Sequence, residues 1–349
     1  MTEQYTKKTK SKHLDYLKHF KSKNFQYKVN IMKPLRVGTD CSGIEAPLQA
    51  LKLLNIPYKH IFSCDNDLHV TKSIRANHNP KHIYDNIFDR NAKDLPLLDF
   101  YIAGFPCQTF STLGKRAGFE DTRGTIFFEC YNAIKNTKPK FFILENVKGL
   151  INHDKGKTFE VILEQLKNLK TYNVYWKLFN TKNYGVPQSR ERIYIVGIDK
   201  KLDTNFSFPK EVPLDITVVD IIETYDNIDP KFGYLTSHKK NLIKELLENK
   251  KVVDLNKNWS MNLNVSNYKR CGPMLDICPT LLAGNGGDCI FYLSSIGRRY
   301  TPREYLNLQG FGEFIQDVSN SKLYKQIGNS MSVNILAFLY KSIILTTDL

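Results

Sequence analysis

Short apolar runs alternate with stretches of helical periodicity between residues 35 and 198, and this alternation limits the possible fold more than any other feature. The apolar runs are predicted strands, and stretches whose apolar residues recur every three or four positions are predicted helices. Strands that alternate with helices form a mostly parallel sheet with both faces covered, so we predict a doubly wound α/β domain over residues 35–199. The strands are predicted at 35–39, 60–64, 98–104, 140–146, 174–180 and 192–198, and the helices at 44–54, 67–78, 125–137 and 157–169.

The rest of the chain divides into three further segments. Residues 200–297 are polar and irregular, which indicates a second, smaller domain inserted into the first. Residues 298–349 regain the regular pattern, end in an apolar helix at 332–345, and are expected to return to the first domain. Residues 1–34 form a lysine-rich extension without the apolar stretch of a secretory signal. This extension is expected to be disordered or, alternatively, to form a short amphipathic helix at 13–20, and a solvated tail is favoured over a dedicated DNA-binding arm.

Two residues that follow predicted strands suit a bound nucleotide, since ligands of such folds bind beyond the carboxyl ends of the strands. Gly43 follows the first strand and allows a tight turn into a helix N-terminus, which attracts anions. Asp65 follows the second strand, where a carboxylate accepts hydrogen bonds from ribose hydroxyls. A helix N-cap formed by Asp65 or Asp67 is the alternative interpretation. Gly43 and Asp65 together favour the ribose interpretation.

Four other residues near strand ends are candidates for catalysis. Cys107 directly follows a proline at the end of a strand, which favours a nucleophile over a buried structural thiol. Glu145 ends another strand, where a buried carboxyl group can donate a proton, and a structural helix cap is the alternative. Arg190 and Arg192 stand two residues apart at the start of a strand. Both can therefore point into one site, and a surface pair is the alternative.

Composition narrows the partners and the compartment. The formal net charge of +15 fits a polyanionic partner, most commonly nucleic acid, and equally an ordinary solvated basic surface. The chain has seven cysteines and no Cys-X-X-Cys motif, which predicts reduced thiols. Cys271, Cys278 and Cys289 fit no zinc-binding spacing, so no metal is predicted. No run of 18 apolar residues is present, so no membrane partner is predicted.

In their order along the chain, the motifs resemble those of the DNA (cytosine-5) methyltransferases. The resemblance covers nearly the whole chain from residue 35, and the family's variable target-recognition region corresponds to residues 200–297. It implies the sheet of S-adenosylmethionine-dependent methyltransferases, S-adenosylmethionine as the cofactor and double-stranded DNA as the partner. The matching motifs are "DCSG" (40–43), Asp65, Asp85, "GFPCQTFS" (104–111), "GFEDTRGTIFFE" (118–129), "LENVKG" (144–149), "YGVPQSRERIYIVG" (184–197), "TPREYLNLQGF" (301–311) and "YKQIGNS" (324–330).

The resemblance also implies a mechanism. The Cys107 thiolate would attack carbon 6 of a cytosine that has been flipped out of the duplex. Glu145 would protonate ring nitrogen 3, and Arg192 would contact the base edge, with Arg190 in the same catalytic set. The polar loop after Cys107 would close over the flipped base. The residues implied in DNA contacts are Ser111, Lys115, Arg116, Arg123 and Thr280.

The cofactor contacts are likewise implied by the matching motifs. One group of residues would line the methionine end, Asp65 would bind the ribose, and Asp85 and Ile87 would meet the adenine. The methionine end would be lined by Asp40, Ser42, Gly43 and Ile44, and further contacts would come from Gly104, Pro106, Asn329 and Ser330.

Three positions depart from the family's usual pattern. The family usually has an aromatic residue in place of Cys41, a second glycine in place of Glu45, and often an aromatic residue in place of Asn66. Because these aromatic residues are missing, we expect weaker stacking on the adenine. We also expect Glu45 to narrow the turn that contains Gly43.

Two other functions stay open at this point. One is a tRNA cytosine-5 methyltransferase of the same family, although its Cys-Phe-Thr signature is absent from residues 200–297. The other is a catalytically silent DNA-binding protein. The expected enzyme is a monomer in a bacterial or phage-type cytoplasm, or in a DNA-containing host compartment if the source is viral. Restriction protection, self-marking by a phage or virus, and an orphan regulatory role are all compatible with the sequence.

Overall fold

The computed structural model describes residues 16–25, 33–106, 126–223, 228–283 and 291–347. The chain divides into two compact units. The large-sheet unit consists of Tyr27–Phe179, Glu191–Lys210 and Ile335–Leu349. The small-sheet unit consists of Met1–Gln26, Asn180–Arg190 and Glu211–Asn334.

The large-sheet unit is built on a mostly parallel sheet, which within the described residues has seven strands in the order β3-β2-β1-β4-β5-β7-β6. Strands β3, β2, β1, β4 and β5 pair in parallel, whereas β7 runs antiparallel to β5. The carboxyl ends of the parallel strands therefore meet at one edge. The strands are β1 (Leu35–Asp40), β2 (Tyr58–Cys64), β3 (His82–Tyr84), β4 (Phe100–Ala103), β5 (Phe141–Val147), β6 (Tyr172–Asn180) and β7 (Glu191–Asp199).

Helices cover both faces of this sheet. Four of them follow strands β1, β2, β4 and β5 in turn, and a fifth comes from the end of the chain. On one face, Phe127 and Ile162 pack in a cluster with Tyr101 and Phe142 of the sheet. On the other face, the ring of Tyr340 lies 4.7 Å from that of Phe100. The helices are α2 (Ala46–Leu54), α3 (Leu68–Asn77), α4 (Ile126–Thr137), α5 (Lys157–Asn168) and α9 (Val333–Leu345).

These observations confirm the predicted doubly wound α/β fold. Successive residues of a strand point to opposite faces, so Phe100 and Tyr101 each need an apolar partner layer. That requirement explains why parallel strands read as continuous apolar runs. The sequence missed β3, which has three residues (His82–Tyr84), carries polar side chains and stands at the edge of the sheet.

The small-sheet unit contains a four-stranded antiparallel sheet in the order β11-β10-β8-β9 among its described residues. Leu242, Leu246, Met261 and Tyr292 belong to its apolar cluster. Its elements are α1 (residues 16–24), α6 (Ser237–Glu248), β8 (Trp259–Asn262), β9 (Met274–Leu275), β10 (Phe291–Leu293), β11 (Arg298–Arg299), α7 (Pro302–Leu308) and α8 (Asn320–Asn329).

This division groups residues 298–334 with the small-sheet unit, whereas residues 298–349 were expected from the sequence to return to the first domain. The grouping follows from packing, since β11 pairs with β10 and the ring of Tyr305 lies 4.8 Å from that of Tyr324. The segment from residue 335 onward belongs to the large-sheet unit. The domain bounds 1–34, 35–199, 200–297 and 298–349 stay a prediction.

Helix α1 gives part of the N-terminal extension a structural role. Residues 16–24 are helical, so the alternative of a helix is correct for this part, and residues 1–15 lie outside the described residues. Phe20 is 3% exposed, and the Tyr16 hydroxyl donates to the carbonyl of Gly185. Gly185 has φ of 79°, and a Cβ atom there would lie 2.4 Å from Cε2 of Phe20. The helix thus packs directly against the turn at Gly185.

We expect Phe20→Ala to lower the melting temperature by several degrees, because a buried Phe→Ala change costs about 3–5 kcal/mol. Gly185→Ala should also destabilise the protein, since it combines a positive φ with the overlap on the Phe20 ring. Thermal unfolding followed by circular dichroism measures both effects. Ser22→Ala, on the exposed face of the same helix, is the control. Equal melting temperatures for the wild type and Phe20→Ala would contradict the packing of α1.

Candidate active site

The turn between β1 and α2 is tied to the end of β2. The backbone N–H of Ser42 donates to the carbonyl of Cys64 at 3.0 Å, and Ser42 Oγ accepts from the N–H of Cys64 at 2.8 Å. Gly43 follows with φ of 53°, and a Cβ atom there would meet nothing within 4 Å. The positive φ therefore explains the glycine, and the space above it is open to a ligand.

Asp65 lies directly against this turn. Its Oδ2 accepts from the N–H of Gly43 at 2.9 Å, and its Oδ1 accepts from the N–H of Asp67 at 3.1 Å. Burial raises the pKa of Asp65, and the two backbone donors oppose that shift. Asp67, not Asp65, is the N-cap of α3, since its side chain accepts from the N–H of His69. The N-cap alternative therefore applies to Asp67, and the contact of Asp65 with the ribose stays a prediction.

The other predicted cofactor residues of this unit follow strands that end at the same edge of the sheet. The N–H of Asp65 donates to the carbonyl of Tyr84, which joins the end of β2 to the end of β3, before Asp85 and Ile87. Asp85 is exposed and Ile87 is buried in the core cluster. Ile44 is buried, Gly104 is partly exposed and Pro106 is exposed.

Asp40 differs from these residues because its carboxylate is fully buried. Its Oδ2 accepts a hydrogen bond from the Tyr101 hydroxyl at 2.5 Å and forms an ion pair with Arg90. The Arg90 guanidinium in turn lies 5.0 Å from the centre of the Phe62 ring. These contacts give Asp40 a structural role, and its contact with the cofactor stays a prediction.

Glu145 and Arg192 come together at the end of β5. The antiparallel pairing of β5 with β7 puts Arg192 opposite Val147, two residues beyond Glu145. Nε of Arg192 lies 3.3 Å from Oε1 of Glu145, and Glu145 is 8% exposed. A nearly buried carboxyl group is thus held in position by a guanidinium, and its role as a general acid stays a prediction.

No role for Asn146 was predicted from the sequence. Its side-chain amide donates to the carbonyl of Phe105 at 2.7 Å. This bond fixes the segment after β4, two residues before Cys107, to the end of β5. The available signals were its place in the "LENVKG" motif and its position next to Glu145 at a strand end.

Arg190 is held differently from Arg192. It belongs to the small-sheet unit, is 2% exposed, and donates from Nη1 to the carbonyl of Leu281 at 2.8 Å. Its Nη2 donates to the carbonyls of Gly328 and Ser330 at 3.1 and 2.8 Å. The guanidinium therefore links the segment at Leu281 to the segment at Gly328 and Ser330. Strand β7 begins one residue after Arg190, at Glu191. These contacts favour a positioning role over the predicted catalytic one.

Three other predicted site residues belong to the same unit. Thr280 donates from Oγ1 to the carbonyl of Ser189 at 2.6 Å, so its hydroxyl hydrogen is used within the protein. Asn329 is exposed at the end of α8, and Ser330 is the buried C-cap of that helix.

Cys107, Ser111, Lys115, Arg116 and Arg123 lie outside the described residues, so their roles stay predictions.

The cysteines that the structure describes are poor nucleophiles. They are free thiols at positions 41, 64, 130, 271 and 278, of which all but Cys41 are buried. Burial raises the pKa of Cys64 to about 12 and that of Cys271 to about 11. A thiol with such a pKa is almost entirely protonated at neutral pH, so it is unreactive.

No group of three or more side chains able to hold a metal ion occurs among the described residues. Within the same part of the chain, the helices are too short or too polar to cross a membrane.

A model of the C-5 cytosine-specific DNA methylases matches residues 39–345. The chain belongs to this family. The family assignment shows that this methylase has the enzyme class predicted from the motifs, DNA (cytosine-5) methyltransferase. The predicted family is thereby confirmed.

Curated relatives of this methylase span most of its length. Type II methyltransferase M1.ScrFI of Lactococcus lactis subsp. cremoris is 38% identical over 287 residues, which cover 79% of this chain and 69% of the relative. Type II methyltransferase M.Bsp6I of Bacillus sp. is 35% identical, with 80% and 89% covered. Orphan methyltransferase M.SPRI of Bacillus phage SPR is 30% identical, with 90% and 98% covered.

Solved structures similar to this methylase confirm its fold. A DNMT2 variant of Spodoptera frugiperda has a TM-score of 0.66 at 18% identity, over 88% of this chain and 99% of that structure. The Dnmt2 methyltransferase of S. pombe has a TM-score of 0.61 at 18% identity, with 89% and 98% covered. At such identities the likeness concerns the fold alone.

Proposed function

We propose that this methylase transfers a methyl group from S-adenosylmethionine to carbon 5 of a cytosine in a specific sequence of double-stranded DNA. The reaction would proceed through a flipped-out base and a covalent adduct with Cys107. The observation that carries the proposal is the 3.3 Å contact between Glu145 and Arg192 at the end of β5. Asn146, the next residue, anchors the segment that leads to Cys107.

The ends of β1 and β2 fit the cofactor. The open space above Gly43 allows close approach of a ligand to the backbone, and the Asp65 carboxylate retains lone pairs for the ribose hydroxyls. Ser42 and Ile44 flank the turn, and Asp85 and Ile87 would meet the adenine. When bound, S-adenosylmethionine supplies an electrophilic methyl group. Further contacts are proposed from Asp40, Gly104, Pro106, Asn329 and Ser330.

The protein residues activate the cytosine, whose carbon 5 is a weak nucleophile. The Cys107 thiolate forms a bond with carbon 6, and the electrons of the 5,6 double bond become available at carbon 5. Glu145 donates a proton to ring nitrogen 3, and Arg192 orients the Glu145 carboxyl group and contacts the base edge. Carbon 5 would then bond to the methyl group that S-adenosylmethionine supplies, as the bond from this methyl group to the cofactor sulfur breaks. Loss of the carbon 5 proton to solvent would re-form the 5,6 double bond, and the bond from Cys107 to carbon 6 would break with its electrons returning to the thiolate. The proton on ring nitrogen 3 would return to Glu145.

DNA binding follows from charge and from access to the base. The net charge of +15 favours a polyanion, and a stacked cytosine has to leave the duplex before a thiol can reach carbon 6. Ser111, Lys115, Arg116 and Arg123 would contact DNA near the flipped nucleotide. Residues 200–297 would read the target sequence, with Thr280 near the end of this region.

The proposed setting is a restriction-modification system, because the relatives with 35–38% identity are named type II methyltransferases. An orphan role in a phage is the second possibility, given the similarity to M.SPRI. We propose that the enzyme is a monomer that acts in the cytoplasm of a bacterial cell.

Bisulfite sequencing of DNA from cells that express the protein tests the function. We expect methylation of carbon 5 at cytosines of one sequence context, and none in cells that express Cys107→Ala, because the adduct cannot form. Bisulfite sequencing of tRNA from the same cells tests the rival substrate. If the tRNA were methylated and the DNA were not, the substrate would be tRNA and the proposal of a DNA substrate would be wrong.

A further inference from the structure

Glu45, at the N-terminus of α2, has an unusual backbone conformation for its residue type. Its φ and ψ are 59° and 47°, in the left-handed region, and its side chain is completely buried. A non-glycine residue persists in this region only when surrounding contacts hold it there. The Glu45 side chain does not cap α2, so its contacts are elsewhere.

The carboxylate of Glu45 bridges β1 and β2. Its Oε1 accepts hydrogen bonds from Oγ1 of Thr39 and from Oγ of Ser63, both at 2.6 Å. Nε2 of His60 lies 3.4 Å from the same oxygen. Thr39 and Ser63 are paired neighbours, each one residue before the end of its strand. One buried oxygen therefore joins the two strands just below the turn that carries Gly43.

The contacts of Thr39 continue to that turn. Oγ1 of Thr39 lies 2.8 Å from Oγ of Ser42, and Ser42 Oγ accepts from the N–H of Cys64. Asp65 follows Cys64 and accepts from the N–H of Gly43. The chain of contacts therefore runs from the Glu45 carboxylate, through two hydroxyl groups, to the residue pair proposed to receive the cofactor.

The surroundings of Glu45 favour its charged form. Burial opposes ionisation, but the hydrogen bonds that His60 and Ser63 make to the carboxylate lower the pKa of Glu45. Burial also lowers the pKa of His78 to about 4. A carboxylate accepts stronger hydrogen bonds from hydroxyl groups than a neutral acceptor does.

We propose that Glu45 is a positioning residue, whose carboxylate holds the Ser42–Gly43 turn and Asp65 in the geometry that receives S-adenosylmethionine. The inference rests on the proposed cofactor site. It assigns a function to a residue that stands where the family usually has glycine. Glu45 lies beneath the turn and acts through Thr39 and Ser63, without touching the cofactor itself.

Calorimetric titration of the full-length protein with S-adenosylhomocysteine tests this role without requiring turnover. Glu45→Gly removes the carboxylate, and glycine adopts a positive φ readily, so we expect this variant to fold. We expect its dissociation constant to rise about 10-fold or more, because two charge-assisted hydrogen bonds are lost. Glu45→Gln keeps an acceptor oxygen and should recover most of the affinity. In methylation assays, the KM for S-adenosylmethionine should rise, with kcat changed by less than about threefold.

Leu48→Ala is the matched control, since Leu48 is a completely buried residue of the same helix. It should lower the melting temperature and leave the dissociation constant of the folded protein unchanged. An equal loss of affinity in Leu48→Ala and Glu45→Gly would reduce Glu45 to a merely structural residue.

Ser63→Ala keeps the test decisive if Glu45→Gly does not fold. It removes one of the two donors and should weaken binding by a few-fold. Wild-type affinity in Ser63→Ala, or in a folded Glu45→Gly protein, would overturn the positioning role. A wild-type protein that binds no S-adenosylhomocysteine would instead overturn the proposed cofactor site, and this inference with it.

Discussion

Cys107→Ser is expected to abolish methylation, because a hydroxyl group is a far weaker nucleophile than a thiolate at neutral pH. The described cysteines offer no substitute for this residue. Cys64 and Cys271 have a pKa raised to about 12 and about 11 by burial, so their thiolate fractions are negligible. Loss of activity in this variant should therefore be complete within the sensitivity of the assay.

A duplex with 5-fluorocytosine at the target position shows whether the loss has the proposed cause. With S-adenosylmethionine present, the thiolate still adds to carbon 6 and the methyl group still reaches carbon 5. Fluorine does not leave as a proton does, so the bond between Cys107 and carbon 6 persists. The wild type should form a complex that survives denaturing electrophoresis and carries one methyl group, and Cys107→Ser should form none.

Cys41→Ser is the matched control, since Cys41 also follows a strand of the large sheet and is partly exposed. This variant should still be trapped on the fluorinated duplex. Peptide mapping that finds the adduct on another cysteine would reassign the nucleophile. A wild-type enzyme that methylates carbon 5 but is never trapped would refute the covalent mechanism.

Much of the large sheet was predictable because strands buried on both faces read as continuous apolar runs. The runs at 98–104 and 140–146 correspond to β4 and β5, and helices cover both faces of the sheet to which these strands belong. Helix α1 was harder to predict, since a lysine-rich segment gives little sign that Phe20 is buried. Its partner, the turn at Gly185, lies 165 positions away in the sequence and cannot be inferred from local pattern.

The site shows the same division between local and distant information. Gly43 and Asp65 were predictable from their places after β1 and β2, and the hydrogen bond between them follows from parallel pairing. Arg192 reaches Glu145 through an antiparallel register that no local pattern specifies. The positive charge of Arg190 was evident from the sequence, whereas the three backbone carbonyls that accept hydrogen bonds from its guanidinium were not.

Glu145→Gln is expected to reduce the single-turnover rate by about 10²- to 10⁴-fold, the usual contribution of a positioned general acid. Glutamine still accepts and donates hydrogen bonds at a base edge, but it cannot transfer a proton to ring nitrogen 3. DNA affinity should therefore stay within a few-fold of the wild type. Rapid-quench measurements at saturating DNA and S-adenosylmethionine separate this chemical defect from weaker binding.

Glu191→Gln is the matched control for this substitution. Glu191 is a neighbouring carboxylate on β7, and it forms an exposed ion pair with Lys148 at 2.9 Å. Exposed ion pairs contribute about 0–1 kcal/mol, so this variant should keep nearly wild-type turnover. A slow Glu145→Gln enzyme beside a normal Glu191→Gln enzyme would link the defect to the carboxyl group that Arg192 orients. If Glu145→Gln instead turned over at the wild-type rate, the proton would have to come from another group, and Glu145 would only hold the base.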